Sequence, residues 1–163
     1  MDLFLAVCKH PLASGGIKPV IFRRLIRSLE TEFLRGPRPA PGIEGLLALL
    51  PKDQTNLKKS LEFIQLISTE FRQVITNVET SLSELLKAHI GFAESLAGTH
   101  EQLGSERLWF GDEGEVTSNF ISGLMEISGA LGNINGASYP ALLDVLLVGQ
   151  VARRNFGSHP RLA

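Results

Sequence analysis

The stretch Pro19-Val20-Ile21-Phe22-Arg23-Arg24-Leu25-Ile26-Arg27-Ser28-Leu29-Glu30-Thr31-Glu32-Phe33-Leu34 decides the fold class. Phe22, Leu25, Ile26, Leu29 and Phe33 recur at spacings of three and four, which is the period of one helix face. Pro19 suits a first turn, where its fixed φ is already helical and its missing N–H is not needed. Arg23 and Arg27 stand one turn apart, off that apolar stripe. Two guanidinium groups at this spacing repel unless an anion or an acid lies between them. Glu30, three residues past Arg27, is available for internal pairing; a phosphate or a partner's carboxylate is the functional reading. The helix is expected to end near Leu34, before the break at Gly36-Pro37.

The same period continues on both sides. Leu3 to Val7 is a short apolar run stopped by Pro11, and Ser14-Gly15-Gly16 is a loop. Residues 36–42 hold three prolines and two glycines, so they are an extended connector. Ile43, Leu46, Leu47 and Leu50 predict a short helix stopped by Pro51. Asp53 can cap the next helix, whose stripe runs Leu57, Leu61, Ile64, Ile67 or Leu66, Phe71, Val74 and Ile75. Ser81 and Glu84 have capping-box spacing, and Leu82, Leu85, Leu86, Ile90 (or His89), Ala93 and Leu96 follow until Gly98. Asp112 and Glu115 form a second cap pair before Val116, Phe120, Leu124, Ile127 and Leu131, with Gly129, Gly132 and Gly136 closing that helix. Tyr139-Pro140 opens a last helix through Leu147 or Val148. The only weak strand candidate is 150–155. The expected fold is all-α, an irregular multi-helix bundle forming one helical domain over residues 1–163.

A chain of 163 residues supports one domain with a substantial core. Its 44% hydrophobic and 20% charged residues fit a soluble globular protein. No apolar run approaches the ~20 residues that span a bilayer, and Asp2 stands where a signal peptide would be basic. Cys8 is the single cysteine, so no intrachain disulfide forms and a reducing cytoplasm is the natural compartment. Residues 1–60 hold ten Lys/Arg against five Asp/Glu, residues 61–149 three against twelve, and residues 150–163 three bases and no acid. Basic ends could face phosphate, or pair with the acidic middle and with solvent. The candidate DNA contacts are Arg23, Arg24, Arg27, Arg35, Arg38, Arg153, Arg154 and Arg161.

Catalytic constellations are lacking. Cys8, His10, His89, His100 and His159 are too scattered for a zinc site, and one cysteine cannot hold an iron–sulfur cluster. Gly15-Gly16 lacks the remainder of a phosphate cradle, so no ATP site is expected. Asp112, Glu113 and Glu115 could suggest magnesium, but acids at a helix start are explained by capping and the helix dipole. Ser105, Ser158 and His159 make no nucleophile elbow. His10 and His159 each precede proline, which points to structural hydrogen bonds. Leu108-Trp109-Phe110 is read as core or helix-entry packing ahead of base stacking.

Three strings, in order, carry a resemblance: Lys9-His10-Pro11-Leu12-Ala13, Arg35-Gly36-Pro37-Arg38-Pro39-Ala40-Pro41-Gly42 and His159-Pro160-Arg161-Leu162-Ala163. Between them lie Leu85-Leu86-Lys87-Ala88-His89, Glu106-Arg107-Leu108-Trp109 and Tyr139-Pro140-Ala141-Leu142. The ordered set resembles the middle of the AddB family, the helicase-like, nuclease-bearing subunit of the bacterial AddAB double-strand-break repair complex. The resemblance implies an excised, non-catalytic segment corresponding to the 2B-like insertion subdomain of superfamily 1 helicases. Residues 1–13 and 150–163 would be junctions to the parent motor-like domain. It further implies that the segment positions duplex or single-stranded DNA, weakly and without sequence preference, and packs on the AddA-type subunit in homologous recombination. The hydrolase activities, ATP, magnesium and iron–sulfur cluster would belong to other parts of the parent complex. A scaffold domain without DNA contact is the alternative expectation.

Overall fold

A computed structural model describes residues 2–36 and 39–148. The helices are α1 (Asp2–Lys9), α2 (Pro19–Ser28), α3 (Gly42–Leu49), α4 (Thr55–Ile67), α5 (Thr69–Thr76), α6 (Leu82–Ala97), α7 (Gly104–Leu108), α8 (Gly111–Ser128) and α9 (Tyr139–Leu147). A π-helical turn, Leu29–Phe33, extends α2, and a 3₁₀ turn, Gly136–Ser138, precedes α9. Among the described residues, the strands are two of two residues each, β1 (Thr80–Ser81) and β2 (Asn133–Ile134). The protein is thus an all-α multi-helix bundle. The strand candidate at 150–155 lies outside the described residues.

The chain divides into two compact units, one drawn from Met1–Arg72 and His89–Leu108, the other from Gln73–Ala88 and Trp109–Ala163. The first is organised by α2. Phe22 and Ile26 are buried with Leu5, Cys8, Ile64 and Leu96. Leu29 is buried with Leu46, Leu50, Leu57 and Leu61, and Leu25 and Phe33 pack half-buried on that group. The stripe read from the sequence therefore serves two clusters, and each fully buried Leu, Ile or Phe contributes about 1.5–3 kcal/mol. The π turn has a packing reason. Continued as an α-helix, Leu34 would project about 120° away from Phe22. The wide turn closes with Leu34 N–H donating to the Leu29 carbonyl at 3.1 Å, and Leu34 packs against both clusters. Ser28 donating to Glu32 at 2.6 Å and Thr31 donating to the Arg27 carbonyl at 2.9 Å occupy groups around that turn.

Ser14-Gly15-Gly16 caps the C-terminus of α6. Ser14 N–H and Gly15 N–H donate to the Leu96 carbonyl at 2.9 and 3.1 Å, and Gly16 N–H donates to Gly98 at 3.2 Å. The Ser14 hydroxyl reaches the Ala97 carbonyl at 3.0 Å. Carbonyls that a helix end leaves open are satisfied by a loop distant in sequence. The geometry needs glycine: Gly15 has φ +54°, and a Cβ there would stand 2.5 Å from Cε2 of Phe22. The same N–H groups are consequently engaged by protein carbonyls.

Several local expectations change. The segment read as one helix past Asp53 is two, broken at Ser68, and Ile67 faces the core while Leu66 is exposed. Gln54 occupies the N-cap of α4, and Thr55 N–H bonds the Asp53 backbone carbonyl at 2.8 Å, so the Asp53 side chain does not cap. Helix α7 escaped the reading because five residues are too few to display a helical period.

In the second unit, Leu82, Leu85 and Leu86 are buried on α6, with Leu124 on α8 and Tyr139 at the start of α9. The Ser81–Glu84 capping box forms as expected: Ser81 N–H donates to Glu84 Oε2 at 2.9 Å, and Glu84 N–H donates to Ser81 Oγ at 3.2 Å. The hydrogen bonds from Ser81, backbone first, and from Thr80 hold the Glu84 carboxyl below its ordinary range. The antiparallel pairing Thr80↔Ile134 and Ser81↔Asn133 was not expected. The Asp112–Glu115 cap pair is corrected. Helix α8 starts at Gly111 behind Phe110, so both acids lie inside it, with Asp112 and Glu113 in its first turn. The earlier start is possible because Gly111 takes φ +75° and Gly114 has no Cβ, which would meet the Trp109 backbone.

Cys8 is 1% exposed, and burial pushes its thiol from 9.0 up to about 12. The neutral thiol is the folded form, so its stabilising contribution is complete below pH 9.0 and drains as pH rises toward 12. At mildly alkaline pH, modification of this single cysteine by a chromogenic disulfide reagent should be slow in native buffer and rapid in denaturing guanidinium. Equal rates in the two solvents would contradict the packing described.

Candidate nucleic-acid interface

The outer face of α2 follows from its inner one. With Phe22, Ile26 and Leu29 fixed in the core, Arg23, Arg24 and Arg27 are turned to solvent, and all three are exposed. Arg23 and Arg27 are separated by about 6 Å along the axis. Neighbouring bases and acids pair elsewhere. Lys9 Nζ lies 2.5 Å from Glu30 Oε1, so Glu30 is engaged by Lys9 in place of the expected Arg27. Lys18 Nζ lies 3.3 Å from Glu101 Oε1, and His100 Nε2 lies 3.2 Å from the same oxygen. The hydrogen bond and charge of Lys18, then His100, hold the Glu101 carboxyl below its ordinary range. Among the described residues, Arg23, Arg24 and Arg27 form no ion pair. Exposed Val20 (63%) falls on this side of the helix by its period of about 100° per residue, and exposed Ile21 (47%) falls to one side of it.

The arginines expected to contact DNA thus fall into two groups. Arg23, Arg24 and Arg27 are brought together on one helix, and Arg35 is exposed just beyond the π turn. Arg38, Arg153, Arg154 and Arg161 lie outside the described residues, as does the His159 string. The convergence of the two basic ends therefore rests on no observed geometry.

The remaining candidates have local explanations. His10 Nδ1 accepts the Leu12 N–H at 3.3 Å, the structural bond expected of it. His89 stacks on Phe71 with ring centroids 4.9 Å apart and planes 14° apart. Burial lowers the His89 pKa. Trp109 is half-buried, whereas Phe110 is 84% exposed at the N-cap of α8. Asp112, Glu113 and Glu115 are exposed, and among the described residues no three His, Cys, Asp or Glu gather as a metal site. No helix of the described residues is long and apolar enough to cross a membrane.

Sequence reasoning missed a cavity in the first unit, walled by α1, Leu12–Ala13, the second half of α6 and Leu108. The available signal was Ala93 and Ala97, small residues one turn apart beside Phe92 and Leu96, of which only Ala93 and Leu96 entered the helical stripe. Compared with family models, curated proteins and solved structures, the chain matches none.

Proposed function

We propose that this chain is a non-catalytic helical module that holds nucleic-acid backbone against the outer face of α2. One observation carries the reading: Arg23, Arg24 and Arg27 are exposed on one helix without an ion pair among the described residues. Cations left unpaired on a rigid helix suit phosphate, which releases counterions when neutralised. The resemblance to AddB extends the proposal. The module would be an insertion of a double-strand-break repair helicase–nuclease subunit, packing on an AddA-type partner in the cytoplasm and leaving ATP hydrolysis and strand cutting to other parts of the complex. Exposed Val20, which the helix period sets between Arg24 and Arg27, favours a second reading, contact with a protein surface.

Salt dependence separates the two. Binding to a duplex of arbitrary sequence should fall in the ~10⁻⁴ to 10⁻⁶ M range at physiological salt. Arg23→Ala with Arg27→Ala should weaken it and lower the salt slope by about two, roughly one per lost phosphate contact. Folding should be unchanged, because both side chains lie off the buried stripe. An unchanged slope in a folded double variant sinks the DNA reading at this face.

A further inference from the structure

We propose that the cavity between α1 and α6 in the first unit binds a small aromatic ligand bearing an acceptor oxygen. Its volume is about 350 Å³, within the ~300–1,000 Å³ of small-molecule sites. Two properties of its walls select the ligand.

The first is shape. Ala6, Ala13, Ala93 and Ala97 lie on the lining, where short side chains leave the space open. Phe92 and His89 supply flat surfaces on the same lining. Phe71 holds both rings: its plane lies 14° from His89 at 4.9 Å and 14° from Phe92 at 6.2 Å. Ring surfaces fixed in advance lose little freedom when a third aromatic group arrives, and aromatic faces prefer stacked or edge-on aromatic partners.

The second is polarity. The lining is apolar except for two imidazoles, His10 and His89. His10 Nδ1 accepts from Leu12 N–H, which assigns that ring's proton to Nε2 and makes it a donor. A donor ring on the lining of an otherwise apolar cavity selects a ligand with an acceptor oxygen, such as a carbonyl or carboxylate. His89 is held toward its uncharged form by burial, in keeping with an aromatic neighbour.

The test uses the chain of residues 1–163 with two probes, indole-3-acetate and indole, followed by calorimetry. Saturable one-to-one binding of indole-3-acetate is expected. Ala93→Phe should fill the cavity and weaken binding at least about tenfold, equivalent to ~1.4 kcal/mol. Ala6→Phe, at an exposed position of α1 on the same lining, should do likewise and decides the matter if Ala93→Phe fails to fold. His10→Phe should reduce the preference for indole-3-acetate over indole by at least about tenfold, the worth of one hydrogen bond to a charged group. Arg23→Ala with Arg27→Ala should leave binding unchanged, which separates this site from the basic face of α2. The proposal is overturned by absence of saturable binding, by binding that survives the filling substitution in a folded variant, or by loss of binding in the arginine variant. An unaltered preference in His10→Phe overturns the acceptor-oxygen assignment.

Discussion

Replacing Phe22 with alanine is expected to lower stability by about 3–5 kcal/mol, the usual loss when a large buried aromatic is truncated. The ring is 0% exposed and belongs to the cluster that joins α1, α2, α4 and α6 in the first unit. It also lies against the Ser14-Gly15-Gly16 cap of α6. A Cβ on Gly15 would meet Cε2, Cδ2 and Cζ of Phe22 at 2.5, 2.8 and 3.2 Å. Gly15→Ala should therefore lose about 1–2 kcal/mol from its left-handed φ and about 1–3 kcal/mol from displacing the ring. The two losses are not independent. With Phe22 already alanine, the Gly15 methyl enters vacated space, and the second loss should vanish. A double-mutant cycle by urea denaturation should show the double variant more stable than the sum of singles by about 1–3 kcal/mol. Strict additivity would mean that the ring and the cap do not constrain one another.

The contrast between what was legible and what was hidden follows the range of the forces involved. Phe22, Ile26 and Leu29 were readable because burial of a helix face repeats with the helix period, and the period survives in sequence. Ser81 and Glu84 were readable because a capping box closes within four residues. Asp112 and Glu115 show the same chemical pattern, yet Gly111 and Gly114 let α8 begin ahead of both. A close backbone approach to Trp109, open only to glycine, overrode the acidic signal. The π turn was hidden because Leu34 is drawn inward by two clusters formed from distant segments. At the candidate interface, residue types and helix face were legible; pairing was not. Glu30 stands three residues from Arg27 in sequence, but Lys9, 21 positions away, takes it. Freedom of a surface charge depends on where other elements bring their own charges, and no local pattern encodes that. Of the cavity, only the small pair Ala93 and Ala97 was visible in sequence, because empty space is a property of several segments at once.

Gly136→Ala should damage the second unit by forcing backbone apart. Gly136 is buried, and its N–H donates to the Asn77 carbonyl at 2.9 Å. A Cβ there would stand 2.6 Å from the Ile75 carbonyl oxygen and 2.7 Å from that of Val74. Backbone oxygens cannot rotate aside as a side chain can, so the 3₁₀ turn must shift, with an expected loss of about 1–3 kcal/mol or more. The turn leads directly into Tyr139, which is 1% exposed, and burial pushes its phenol from 10.0 up to about 12. The folded state thus favours the neutral phenol. Its contribution is complete below pH 10.0 and is lost as pH climbs toward 12. Tyr139 is the single tyrosine, so absorbance of phenolate reports this unit alone. The parent protein should titrate with a midpoint near 12. In Gly136→Ala the shifted turn should admit water to the ring, and the midpoint should move toward the ordinary value of about 10. The urea midpoint should fall with it. A variant that keeps both the alkaline titration and the urea midpoint of the parent would show that the turn yields without cost, and that Gly136 is not held between the α5 carbonyls and the start of α9.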